Sequence, residues 1–274
     1  MTRSTLTGLS QASTAAKKTD PKKEAIRLTN LWQKYGPNTY PLDLRKLVDG
    51  AILTSDFSDK LIIDQRRFDS FEGSLVRTKG ARKWTMLLNS HVANGRRRRF
   101  TFAHELGHFM CHRDLRDTFE DSEESLNDFH DVIETEANIF ASWLLMPANI
   151  LRTEFQDMPW CTDVLQEIGT RFECSLQASA LRHVKLSHRP LAFVVSRDGM
   201  ILWATKSQSA PFIGRFCFGD ELPEGSHALE SFKAGGSSSE RVPVGTVWND
   251  FQNATESQYF DQSGQGYQYT CIEF

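Results

Sequence analysis

The stretch Arg99-Phe100-Thr101-Phe102-Ala103-His104-Glu105-Leu106-Gly107-His108-Phe109 constrains this chain more than any other. On a helix, residues four apart share a face one turn above each other, so His104 and His108 can present both imidazoles to one point. Tetrahedral zinc takes such a pair. Glu105, directly after the first histidine, stands where a metalloprotease holds its general base against the attacking water. The flanking Phe100, Phe102, Ala103, Leu106, Gly107, Phe109 and Met110 make the helix apolar on most sides. A His-Glu-His trio inside such a helix is costly to bury without a partner such as a metal ion. The alternative is a pair of core histidines satisfied by hydrogen bonds.

A zinc held by two histidines and water takes one more protein ligand. The apolar run from Val132 to Met146, stopped by Pro147, reads as a helix whose acidic residues are Glu134 and Glu136, near its start. Two residues apart on a helix, they point about 200° from each other, so one can face the metal while the other caps the helix or lies in solvent. Glu134 is the better candidate: Ala137 and Asn138 follow one turn later, small or polar enough for close helix approach. Asn138 could orient a histidine ligand from behind. His112 competes, being four residues beyond His108. Three ligands on one straight helix would span about 12 Å at roughly 1.5 Å per residue, so His112 fits better as a structural or ligand-orienting residue.

Around these helices the chain reads as α+β. Residues 1–22 are rich in Ser, Thr, Lys and Ala and read as a disordered tail. Helical spacing from Lys23 to Tyr35 and again from Pro41 to about Gly50 supplies scaffold. Short β-rich runs cover Leu61–Ile63, Gly73–Val76 and Trp84–Asn89. If the last of these were an exposed edge, Leu88 and Asn89 would be candidates for pairing with an extended peptide substrate. Arg96–Arg99 read as a solvated connection, with one or two arginines paired to nearby carboxylates. Nucleic-acid contact is the weaker reading of that run. Asp114–Asp131 is acidic and polar, as expected for a loop or lid.

The net charge of −3 gives no global push toward nucleic acid or anionic membrane. There is no apolar run of roughly 18 residues, and the five cysteines (Cys111, Cys161, Cys174, Cys217, Cys271) are scattered. Those features suit reduced thiols and a cytoplasmic location.

The same residues resemble the ImmA/IrrE metallo-endopeptidases: Arg99 through His108, then His112, then Glu134-x-x-Ala137-Asn138-x-Phe140-Ala141-x-x-Leu144-Leu145-Met146-Pro147. The resemblance is strongest over residues 84–148. It implies a zincin-like core, a small mixed sheet with active-site helices, in which His104, His108 and Glu134 hold zinc, with manganese as a possible substitute. It also implies a protein substrate, a helix-turn-helix repressor, in stress or mobile-element regulation. Relatives often carry a helix-turn-helix after the catalytic helices. Here Val164–Phe172 and Leu176–Leu186, separated by Glu173-Cys174 and capped by Ser175, form a candidate. Arg182, His183 and Lys185 offer it only a thin basic face, so docking or scaffolding is the better reading than DNA readout.

From Pro190 onward, strands are expected at Leu191–Ser196, Ile201–Thr205, Phe212–Phe218, Arg241–Asp250 and Tyr267–Phe274. They form a β-rich accessory domain resembling the sensor-like tail of some relatives. The expected division is therefore a tail (1–22), a metallopeptidase domain (23–150), a helical segment (151–189) and the accessory domain (190–274). Competing readings are a DNA- or protein-binding regulator with a structural zinc, and a toxin–antitoxin component.

Overall fold

The computed structural model describes residues 19–52, 59–121, 132–211, 218–236, 238–261 and 265–274. Most of the expected tail, residues 122–131 of the acidic segment and most of the strand expected at 212–218 lie outside them.

Helix α1 (Pro21–Tyr35) starts where the Asp20 carboxylate accepts from the backbone of Lys22 and Lys23, with Pro21 in the first turn. It buries Ala25, Leu28 and Trp32. The short α2 (Leu44–Leu47), capped by Asp43, runs on into a π-helical turn over Val48–Ile52. Strands β1 (Lys60–Arg66), β2 (Gly73–Arg77) and β3 (Lys83–Asn89) follow, then α3 (Gly95–His112), β4 (Thr118–Asp121) and α4 (Val132–Leu145). The four strands make one mixed sheet in the order β1-β3-β2-β4, with β1 parallel to β3 and the other pairs antiparallel. Alternation along β3 sends Trp84 and Met86 inward, where they share a core with Leu75, Leu106, Phe109, Phe140 and Leu144. Each such side chain contributes roughly 1.5–3 kcal/mol on leaving water.

Two expectations are corrected here. The substrate-strand candidates Leu88 and Asn89 belong to an interior strand, because β3 is paired to β1 on one side and β2 on the other. Asn89 instead ties down a loop, its amide donating to the Phe68 and Phe71 carbonyls at 2.8 Å. In addition, part of the acidic loop is a strand: β4 pairs with β2. The edge strands are β1 and β4.

The arginine run is the first turn of α3 and not a connection. Asn94 caps that helix, its side chain accepting from the Arg96 and Arg97 amides at 3.0 and 3.2 Å. Arg97 does pair with a carboxylate, Glu72, at 2.7 Å.

Helices α5 (Ala148–Phe155), α6 (Thr162–Phe172) and α7 (Leu176–Leu186) pack on the same core and carry it to a second sheet. That sheet is antiparallel, ordered β6-β5-β9-β8-β7, from β5 (Leu191–Arg197), β6 (Met200–Lys206), β7 (Ser238–Gly245), β8 (Ala254–Phe260) and β9 (Tyr267–Glu273). One face (Leu191, Phe193, Val195, Tyr269, Cys271) joins the main core. The other face, with Ala192, Val194 and Ile272, packs a smaller cluster with Ala228 of helix α8 (His227–Ala234) and Trp248. The apolar run of β5 follows from cover on both faces. Neither α8 nor β8 was expected from the sequence.

Candidate metal centre

Helix α3 and helix α4 meet where both are small. A Cβ on Gly107 would lie 3.1 Å from Phe140 Cδ1 and 3.2 Å from Ala137 Cα, so glycine permits the close approach. At this contact His104, Glu105 and His108 are fully buried on α3, and Glu134 on the first turns of α4 is 13% exposed. His104 Nε2 stands 2.9 Å from His108 Nε2, and Glu134 Oε2 lies 3.1 and 3.3 Å from the two nitrogens. Three ligand atoms thus fall within 4.8 Å of one another.

Whether this trio suits a cation turns on the protons. His104 Nδ1 is 2.9 Å from Asn138 Oδ1, an acceptor, so Nδ1 carries the hydrogen and Nε2 keeps its lone pair. Behind His108 the chain is longer. His112 Nε2 is 3.1 Å from Glu136 Oε2 and donates to it, which leaves His112 Nδ1 to accept from His108 Nδ1 at 3.2 Å. His108 Nε2 is then a lone pair as well. This requires neutral His112, and burial, followed by the proximity of His108, pushes its pKa down to about 4. Burial works to raise the Glu134 carboxyl, but a proton carried by His104 Nε2 or His108 Nε2, both within hydrogen-bonding reach, outweighs it and holds that group well below the usual carboxylate range; a cation would take the place of that proton. Two imidazole lone pairs and one anionic oxygen aimed at one point fit a divalent cation of the zinc type.

The walls are specific too. Phe119 of β4 stacks on His108 with ring centroids 4.5 Å apart. Gly73 of β2 packs against the general-base candidate: a Cβ there would overlap Glu105 Oε1 and lie 2.6 Å from Thr101 Cγ2. At its far end α3 stops where Arg113 Nη1 donates to the Phe109 and Met110 carbonyls, at 3.0 and 3.1 Å.

Residues 61–183 match the family model for peptidase family M78, the IrrE N-terminal-like domain. The segment belongs to that family. The chain also aligns with a solved structure, a Mycobacterium tuberculosis transcriptional regulator, at 13% identity and a TM-score of 0.49, covering 91% of this chain and 75% of that one. An alignment at that score carries no functional weight. No curated protein matches the chain.

The IrrE-type segment is metallopeptidase-like, and its geometry gathers the sequence-derived candidates His104, Glu105, His108, Glu134, Asn138 and His112 in one place, while Leu88 and Asn89 belong to the sheet interior. Glu136, expected to cap the helix or lie in solvent, is bonded to His112. Sequence reasoning missed its role, although His104, His108 and His112 at successive intervals of four gave a signal that the row continues past the ligands. It also missed Phe119 and Gly73, whose positions depend on strand pairing. Helices α6 and α7 form as expected, but of the three basic residues Arg182 and His183 are turned inward and only Lys185 is exposed. Arg182 is buried, its guanidinium 4.0 Å from the centre of the Trp143 ring and donating to the Met146 carbonyl, and His183 stacks on Trp160. Among the described residues no helix is long and apolar enough to cross a membrane.

Proposed function

We propose that this protein is a zinc-dependent endopeptidase acting in the cytoplasm on a protein substrate, a helix-turn-helix repressor, with manganese able to replace zinc. The observation that carries the reading is the convergence of His104 Nε2, His108 Nε2 and a Glu134 oxygen within 4.8 Å, beside the buried Glu105. A divalent cation held by these three residues supplies Lewis acidity toward the attacking water and the scissile carbonyl. Glu105 takes a proton from that water and returns it to the leaving amine. Asn138 and the His112–Glu136 pair keep the ligand nitrogens deprotonated toward the centre. Phe119 stacks on His108 from β4, and among the described residues the other edge of β4 carries no strand. An extended peptide can add there by backbone hydrogen bonds, so β4 replaces β3 as the substrate strand.

The rival reading, a DNA-binding regulator with a structural metal, loses support because Arg182 and His183 of α7 are buried. The test is co-expression with the helix-turn-helix repressor encoded nearest to its gene, with fragments read by mass spectrometry. Glu105→Gln should keep its metal and cut at least about 10²–10⁴-fold more slowly. Cleavage at the parental rate would remove Glu105 from this role and the mechanism with it.

A further inference from the structure

Away from the metal, a cavity of about 660 Å³ opens between α2, strands β1 and β3, and the N-terminal half of α3. Its size falls within the range of small-molecule pockets. Leu42, Ile63, Leu88 and Phe102 give it apolar walls, while Arg98 and Arg99 bring two guanidinium groups. Acidic residues line it as well, but two of the three are engaged locally. Asp43 caps α2 by accepting from the Lys46 amide at 3.0 Å, and Glu72 accepts from Arg97 at 2.7 Å and from Thr101 at 3.3 Å. The third, Glu173, is 57% exposed and 3.7 Å from Arg99.

The arginines keep unused capacity. Arg99 is only 12% exposed; it donates to the Leu42 carbonyl at 2.5 Å, and its Nε is buried without a hydrogen-bond partner among the described residues. Among the described residues Arg98 is held only by carbonyls, those of Val92 and Ala93. A buried guanidinium donor left unmatched is costly, and burial lowers the pKa of Arg99 accordingly. An anionic oxygen brought to Arg99 would relieve that cost.

We propose that this cavity binds a small amphipathic anion, its carboxylate or phosphate head on Arg99 and Arg98 and its apolar body against Leu42, Ile63, Leu88 and Phe102. The site is separate from the expected peptide path, since its strands β1 and β3 occupy the opposite side of the sheet from β4. It is independent of whether the metal centre hydrolyses peptides. It does border the catalytic helix: Thr101 and Glu72 line the cavity, and Gly73, next in the chain, packs on Glu105.

The experiment uses the full chain and saturation-transfer difference NMR with benzoate, phenyl phosphate, benzyl alcohol and inorganic phosphate as probes. Benzoate and phenyl phosphate should bind and displace one another, while benzyl alcohol, lacking the charge, binds at least tenfold more weakly. Inorganic phosphate alone should also compete at least tenfold less well than phenyl phosphate. Arg99→Met should weaken both organic anions tenfold or more. Because Arg99 also holds Leu42, a second variant, Val92→Trp, fills the cavity from its half-exposed rim without changing charge, and it should abolish binding. Equal binding of benzyl alcohol and benzoate overturns the charged head, and equal competition by inorganic phosphate overturns the apolar body. Failure of both anions to bind, or unchanged binding in Val92→Trp, overturns the site itself.

Discussion

Glu134, at the junction of α3 and α4, and Glu256, on β8 beneath α8, are both carboxylates withdrawn from water, and burial ends differently for each. Glu134 is met by two imidazoles and held well below the usual carboxylate range. Glu256 is fully buried and met by neutral donors: the Trp248 indole on Oε1 and the Ala228 amide, 2.9 Å from Oε2. Burial prevails there and pushes its pKa up to about 7. The polar groups around them differ in the same way. Behind the histidines each outward nitrogen has a partner, whereas Ser196 Oγ, Thr270 Oγ1 and Gln268 Oε1 on the second sheet are buried without one among the described residues. Desolvation raises a carboxyl unless something able to share its charge stands opposite, and only the first region provides that.

The comparison breaks most easily at the ligands. His108→Ala or Glu134→Ala should drop the metal content, measured by elemental analysis, from one ion per chain to near none. A full complement of metal in either variant would show that the trio is not the site. One step further back, Glu136→Gln or His112→Ala should lower metal affinity by about 10–100-fold, since each frees the proton arrangement of His108 without removing a ligand. Competition with a chelator reads this directly, and unchanged affinity would leave the Glu136–His112–His108 chain without influence on the centre.

For Glu256 the sign is opposite to that of an ordinary ion-paired acid. A folded pKa of about 7, above the unfolded value, means that the neutral form is favoured in the fold. The stability it lends is complete below about pH 4.5 and declines as pH rises through 7. Glu256→Gln should match the parent near pH 4.5 and gain on it by pH 8.5, with the difference changing by on the order of 3 kcal/mol in urea unfolding. Parallel profiles would refute the shift. The smallest effect is expected at Thr270→Val, which removes a hydroxyl that has no partner among the described residues. Its stability should stay within about 1 kcal/mol of the parent or rise. A larger loss would mean that a water or ligand satisfies that oxygen.

Local rules made much of this readable beforehand. The intervals of four among His104, His108 and His112 place them on one side of α3, and the two-residue gap between Glu134 and Glu136 separates their directions whatever else the chain does. The β5–β6 hairpin and the α6–α7 pair follow from short-range pattern and capping. What stayed hidden depends on long-range partners. The parallel pairing of β1 with β3 makes β3 interior, and nothing within residues 84–89 distinguishes an edge from a centre. The inward turn of Arg182 depends on Trp143, and the engagement of Glu136 depends on His112, both distant in the chain. The arginine run was misread for a different reason: its four like charges suggested solvent, while the cap that starts the helix, Asn94, stood just outside it.

Because Phe193, Val195 and Tyr269 belong to the same interior as Phe109 and Phe172, the C-terminal sheet is no detachable appendage. Cutting the chain before Leu191 would strip the Ala192 carbonyl from the Trp160 indole and bare an oily wall on α6 and α7. A chain trimmed in that way is expected to emerge as an aggregating fragment, so any graft or shuffle of the tail has to bring a matching greasy face with it.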